Sequence, residues 1–400
     1  MEMIGFEVFG RIAIKFGTPA FVYEEEKIRH QARSLKQGID YEPKKILYAV
    51  KANFNPSILK ILKEEGLGID AVSPGEIALA LKVGLTSEDI LFTGNNITDE
   101  EMDFAVEKGV LLNIDSLSRL EKFGKNYPRQ QICVRINPDI GAGHHNHCIT
   151  GGPISKFGIW YSEVEKIKSI AKSYQLEIIG IHQHIGSQIL EADTFLLAME
   201  AILKVAPNFP DLKFIDFGGG FGVSYKPEEK PLNIEELGGK ISKRFINFCS
   251  ECGKKLTLVI EPGRYLVAEA GYLLTRVNTV KKNSDGRVFV GIDSGFNHLI
   301  RPAMYGSYHE IINISHPTGG KESVDIVGNL CESGDRFAEQ REINEPREGD
   351  LVLIKNAGAY GYAMSSNYNL RPRPPEILIK TGGELQIIRK KEALEDLISD

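Results

Sequence analysis

Lys51 follows directly on a short apolar run, Ile46-Leu47-Tyr48-Ala49-Val50. An amine held at the end of a buried strand is partly desolvated, which favours its neutral form. A neutral lysine amine is the nucleophile of Schiff-base chemistry. The same position also suits a lysine that snorkels to solvent from a strand end. A second feature is the run Gly218-Gly219-Gly220-Phe221-Gly222. Without Cβ atoms its backbone N–H groups can approach a phosphate closely, although a tight turn also needs glycines. Arg264 can add a charged donor. Glu261 ends another apolar run, Leu256-Thr257-Leu258-Val259-Ile260. A carboxylate there must find a cation or rise in pKa. A protonated ring nitrogen is one such cation; a salt bridge to Arg264 or to a lysine is the alternative. His182 and His184 lie two residues apart, on one face of a strand. Ser187 follows, with a hydroxyl suited to a phosphate.

These residues need a frame that brings them together. Eight short apolar runs supply it, at 46–50, 68–72, 90–94, 111–115, 131–137, 177–185, 212–218 and 256–261. They are rich in Ile, Leu and Val and read as strands buried on both faces. Amphipathic stretches lie between most of them. Asn55-Pro56, Ser73-Pro74 and Thr98-Asp99-Glu100 are helix starts, and Gly66, Gly84 and Gly109 are helix stops. Eight strand-then-helix units are the arithmetic of a (β/α)8 TIM barrel, an α/β fold whose chemistry sits at the C-terminal ends of its strands. Lys51, His184, Gly218–Gly220 and Glu261 all fall at such ends. A cofactor that would use a Schiff-base lysine, a phosphate loop and a carboxylate facing a ring nitrogen is pyridoxal 5′-phosphate (PLP).

After about residue 265 the pattern becomes strand-like, with turn clusters at Asn283-Ser284-Asp285-Gly286 and Thr381-Gly382-Gly383. The expected domains are a barrel over 26–265 and a mainly β domain from 1–25 and 266–400. The early strand-like segment Pro19-Ala20-Phe21-Val22-Tyr23 is expected to pair within that β domain.

Composition narrows the function. The 400 residues carry a formal net charge of -6, which gives no basic field for nucleic acid or an anionic membrane. No leader pattern or membrane-length apolar run stands out. Five sparse cysteines fit reduced thiols in a cytoplasm. Cys249 and Cys252 form a C-x-x-C, but no second pair completes a zinc site. The cluster His144-His145-Asn146-His147 lies in a Gly-rich loop without a nearby carboxylate. It reads as a loop that contacts substrate or a neighbouring subunit rather than a metal site, and no metal is expected.

Eight segments in order resemble the alanine-racemase-like (fold type III) PLP enzymes, and within them the diaminopimelate decarboxylases. They are Y-A-V-K-A-N (48–53), S-K-F-G-I (155–159), G-I-H-Q-H-I-G-S-Q (180–188), D-F-G-G-G-F-G (216–222), E-P-G-R-Y (261–265), R-P-A-M-Y (301–305), C-E-S-G-D (331–335) and G-A-Y-G-Y-A-M-S-S-N-Y-N (358–369). The resemblance implies that Lys51 carries the cofactor and His184 stacks on its ring. It implies that Ser187, Gly218, Gly219, Gly220, Gly263 and Arg264 hold the phosphate end, and that Glu261 pairs with the ring nitrogen. Tyr360 would touch both cofactor and substrate. Arg264, Arg301, Tyr305 and Glu332 would contact substrate, and Cys331 would return a proton to the decarboxylated carbon. The family builds its site across a homodimer, with Cys331 and Glu332 crossing to the partner. The implied reaction is decarboxylation of meso-diaminopimelate to L-lysine.

The segment Gly141–Pro153 is richer in histidine and glycine than the family's common pattern. It keeps D-lysine and D-ornithine open as substrates. A catalytically silent PLP-binding regulatory relative is the reading from another class, and the intact Lys51, Glu261 and Cys331 speak against it.

Overall fold

The computed structural model describes residues 5–143, 150–152 and 155–398. The chain divides into two compact units. One comprises Arg29–Ser224 and Lys230–Leu266; the other comprises the chain up to Ile28, Tyr225–Glu229, and the chain from Val267 on.

The first unit is the expected barrel. Its eight parallel strands are Lys44–Ala49, Gly68–Ala71, Ile90–Phe92, Leu111–Ile114, Gln131–Asn137, Glu177–His182, Phe214–Asp216 and Thr257–Ile260. Each pairs with its neighbours in sequence order, and the eighth pairs with the first to close the ring. The helices between them begin where the sequence expects. Asn55 caps Pro56–Glu64 by accepting from the Ser57 N–H, and Ser73 caps Pro74–Lys82 by accepting from the Glu76 N–H. Thr98 and Glu101 form a reciprocal capping box at the start of Asp99–Glu107. At the base of the barrel Leu47, Leu91, Cys133 and Val259 form one buried cluster, with Leu111 and Phe214 packed against it. Branched and aromatic side chains fill the ring there and make it a core rather than a pore.

The second unit is built on strands, with helices at its margins. Ala20–Glu24 is almost wholly buried between the long strand Gly271–Lys282, to which it is antiparallel, and Glu376–Ile379, to which it is parallel. The early segment therefore does pair with the C-terminal strands. A helix and an edge strand are among the elements with no counterpart in the sequence reading. The helix Phe6–Phe16 buries Phe9, Ile12 and Ala13 against Val22, Tyr272, Leu274 and Ile377. Burying Phe9 and Ile12 contributes about 1.5–3 kcal/mol each. The strand Arg336–Asn344 pairs with Lys321–Val327 at the sheet's edge. Among the described residues no helix is long and apolar enough to cross a membrane.

Candidate active site

Lys51 sits in a single 3-10 turn, Val50–Ala52, that follows the first strand. Its Nζ donates to Asp70 Oδ2 at 2.8 Å, from the end of the second strand. The lysine side chain is 38% exposed and the aspartate fully buried. The amine is thus one half of an ion pair rather than an isolated desolvated group, which differs from the sequence expectation. Asp70 itself is pushed up by burial and by the nearby charge of Glu261, and Lys51 opposes both. Glu76, in the next helix, accepts from the Val72 N–H at 2.8 Å. Burial raises it to about 7, with Asp70 adding to the shift.

Glu261 lies just past the eighth strand and is 3% exposed. Its Oε2 is 2.9 Å from His182 Nε2, and its Oε1 accepts from Thr93 Oγ1 at 3.4 Å. Burial raises its carboxyl, while the charges of Lys51 and Arg135 favour the ionised form. The sixth strand ends at His182, earlier than expected, so His184 stands in the loop beyond it. His184 Nδ1 accepts from the Gly219 N–H at 3.0 Å, which puts the ring proton on Nε2. Burial, then the charges of Lys51 and Arg135, holds this imidazole well below its ordinary value.

The glycine loop is wedged between strand ends. A Cβ on Gly218 would come within 2.3 Å of the Gln183 carbonyl oxygen, and one on Gly219 within 2.1 Å of the Glu261 carbonyl oxygen. Gly218 and Gly220 also have φ of +70° and +101°, which other residues rarely adopt. The Gly218 N–H donates to Asp216 Oδ1 at 2.8 Å. The N–H groups of Gly218 and Gly219 are therefore engaged inside the protein. Beside the loop, Arg264 Nη2 donates to Ser187 Oγ at 3.0 Å. Gly263 packs on the first strand's end, with its Cβ position 3.1 Å from Ala49 Cβ.

Lys51, His184, Ser187, Gly218–Gly220, Glu261, Gly263 and Arg264 thus lie in one unit, at one end of one barrel. Asp70, Thr93, Arg135, His182 and Asp216 join them; the sequence reading placed His182 with His184 on one strand face and gave the other four no site role. Their signal was a charged or polar residue inside an apolar strand, as in Gly-Ile-Asp-Ala-Val and Gln-Ile-Cys-Val-Arg-Ile-Asn. Such a residue must be paired when buried. One ligand-type atom each of His182, Asp216 and Glu261 lies within 4.8 Å of the others.

The remaining candidates lie in the second unit. Arg301 is 2% exposed and opens the short helix Arg301–Tyr305. Its Nη1 donates to Tyr225 Oη at 2.6 Å, and its guanidinium stacks on that ring at 4.7 Å. His309 donates from Nδ1 to the Lys355 carbonyl, so its Nε2 is an acceptor, 3.4 Å from Arg301 Nη1. Cys331 is a free, exposed thiol whose N–H donates to Asn369 Oδ1. Glu332 beside it is exposed. Asp335 pins this loop from below, accepting from the N–H groups of Phe296 and Leu330. Tyr360 has a φ of +58°. The cluster His144–His147 falls outside the described residues.

The barrel residues suit PLP. Lys51 offers an amine for the aldehyde, Arg264 and Ser187 offer donors for a phosphate, and Glu261 offers a carboxylate for the ring nitrogen. Among the described residues, the fully buried Asp70 Oδ1 accepts no hydrogen bond, so this end of the barrel has polar capacity to spare.

Residues 25–268 match the model of the pyridoxal-dependent decarboxylase, pyridoxal binding domain. The chain is 46% identical to the diaminopimelate decarboxylase of Methanothermobacter thermautotrophicus, over 97% of this chain and 92% of that one. It is 38% identical to that of Aquifex aeolicus, over 97% and 92% respectively. The solved diaminopimelate decarboxylase of Helicobacter pylori, in complex with L-lysine, superposes with a TM-score of 0.89 at 35% identity, covering 97% of this chain and 98% of that one. This chain is a PLP-dependent carboxy-lyase, and it belongs to the diaminopimelate decarboxylase family.

Proposed function

We propose that the protein decarboxylates meso-diaminopimelate at its D-centre to give L-lysine and CO2, with Lys51 as the lysine that binds the cofactor. The observation that carries this reading is Lys51 at the barrel rim with Glu261, His184 and the Arg264–Ser187 pair around it. When bound, PLP supplies an electron sink for the bond that releases CO2.

The chain's own residues do the rest. Lys51 would hold the cofactor through its side-chain amine. Asp70, 2.8 Å from Lys51 Nζ, would orient that amine. Glu261 keeps a proton on the ring nitrogen. The neutral imidazole of His184, fixed by the Gly219 N–H, presents a flat face to the ring. Arg264 and Ser187 would hold the phosphate, with the close approach that Gly218–Gly220 and Gly263 allow. Arg301, Tyr305 and Tyr360 hold the substrate, and Glu332 accepts from its distal ammonium. The Cys331 thiol returns a proton to the carbon that lost CO2.

The exposure of Cys331 and Glu332 supports a homodimer in which they complete the partner copy's site. The free thiols Cys133, Cys249, Cys252 and Cys331 support a cytoplasmic location. The test is CO2 release by the PLP-loaded protein, given meso-diaminopimelate, D-lysine, L-lysine, D-ornithine and L-ornithine in parallel. Fastest turnover of meso-diaminopimelate is expected. Preference for D-lysine or D-ornithine would move the substrate and leave the cofactor reading intact.

A further inference from the structure

Behind Glu261 lies a buried carboxylate that the steps above do not use. Asp216 ends the seventh strand and is fully buried. Its Oδ1 accepts from the Gly218 N–H at 2.8 Å. Its Oδ2 has no N–H or hydroxyl partner among the described residues. One carboxylate oxygen of Asp216 lies within 4.8 Å of one of Glu261, and His182 completes the cluster. Two ionised carboxylates that close, out of water, repel strongly. A single proton on one of them removes that repulsion and lets the protonated carboxyl donate to the other in a charge-assisted O–H···O bond.

We propose that Asp216 is a positioning residue that holds this proton and donates it to Glu261, leaving Glu261 as the one anion of the pair that faces the cofactor's ring nitrogen.

The proposal rests on the role of Glu261 given above. The surroundings decide which carboxyl keeps the proton. Glu261 has His182 Nε2 at 2.9 Å and Thr93 Oγ1 at 3.4 Å, and the cations Lys51 and Arg135 favour its ionised form. Asp216 has one backbone N–H. Burial pushes it well above the ordinary carboxylate range, and the charges of Glu261 and Asp70 push the same way. His182 is held neutral by burial and by Arg135, so it donates to Glu261 without adding charge. The buried Cys133 thiol also feels Asp216 and Glu261, and both raise its pKa. His184 lies near His182 of the cluster and is held neutral as described. A divalent cation would find ligand atoms here, but Arg135 and Lys51 already bring positive charge to the cluster.

The proton can be read directly. Infrared spectra of the holoenzyme, with aspartate labelled with carbon-13 at its side-chain carboxyl, should show the carbonyl stretch of a buried protonated acid. Asp216→Asn should lose that band, yet keep most of the PLP affinity and turnover, because its amide N–H still donates to Glu261. Asp216→Leu has similar bulk and no donor. It should weaken PLP binding and kcat by roughly tenfold or more, the scale of a lost hydrogen bond to a charged group. If Asp216→Leu does not fold, the band and Asp216→Asn still decide. No protonated-aspartate band in the wild type, an Asp216→Asn variant as impaired as one lacking any donor, or a stoichiometric divalent metal in the purified protein would each overturn the proposal. The band is read without substrate, so its absence would leave the proposed decarboxylation standing.

Discussion

The two ends of the barrel are made by the same eight strands and carry opposite chemistry. At the base, Leu47, Leu91, Cys133 and Val259 fill the ring, and the charged groups around them, such as Lys213 and Glu177, stand about half in solvent. At the C-terminal end, Asp70, Arg135, His182, Asp216 and Glu261 are each less than 9% exposed. One end spends its buried positions on packing. The other places charges where water cannot screen them, so each charge sets the protonation of the next. A polar residue at the base is a surface detail, whereas the same residue three positions along a strand belongs to a coupled network.

Substitutions should break along that line. The largest effect is expected for Lys51→Ala, with turnover down by about four orders of magnitude or more and no visible absorbance band from bound cofactor. Glu261→Ala should retain some PLP and lower kcat by about a hundredfold, as expected when a preorganised electrostatic partner is removed. Near-normal kcat in that variant would remove Glu261 from the electron sink. Leu91→Ala tests the other end. Thermal or denaturant unfolding should show a loss of at least about 2 kcal/mol, while kcat of the folded protein stays within about twofold. A large fall in kcat there would erase the division between the two ends.

Glu76 gives a pH test at the active end. Its folded pKa of about 7 lies above the ordinary carboxylate value, so the folded state binds this proton more tightly than the unfolded chain does. The stability it contributes is present in acid and is lost as pH rises through about 7. Glu76→Gln mimics the protonated form. Its melting temperature should therefore gain on the wild type between about pH 5 and about pH 8. A constant difference across that range would mean that Glu76 titrates normally. The smallest effect is expected at the base. Lys213 and Glu177 are 3.7 Å apart with side chains 56% and 42% exposed, and Lys213→Ala should change stability by less than about 0.5 kcal/mol.

The sequence made the barrel strands legible because continuous apolar runs recur with capped amphipathic stretches between them. The edge strand Arg336–Asn344 was not legible, since Arg-Phe-Ala-Glu-Gln-Arg-Glu-Ile-Asn buries only Phe337, Ala338 and Ile343 and offers no apolar run. Charged residues on an edge strand also hinder unwanted pairing. The helix Phe6–Phe16 did carry a signal, with apolar residues at 6, 9, 12, 13 and 16. At the site, Lys51, the glycine loop and Glu261 were legible from their places at strand ends. Asp70 and Asp216 were not assigned, because their partners lie on other strands. A one-dimensional reading sees a charge in an apolar run but not the residue that pairs with it across the ring.

The most direct test of Lys51 as the centre of this chemistry is borohydride reduction of the PLP-loaded protein followed by peptide mapping. A single pyridoxyl group on Lys51 is the predicted result. A label on another lysine, or an unlabelled Lys51 in a protein that still releases CO2 from meso-diaminopimelate, would contradict it.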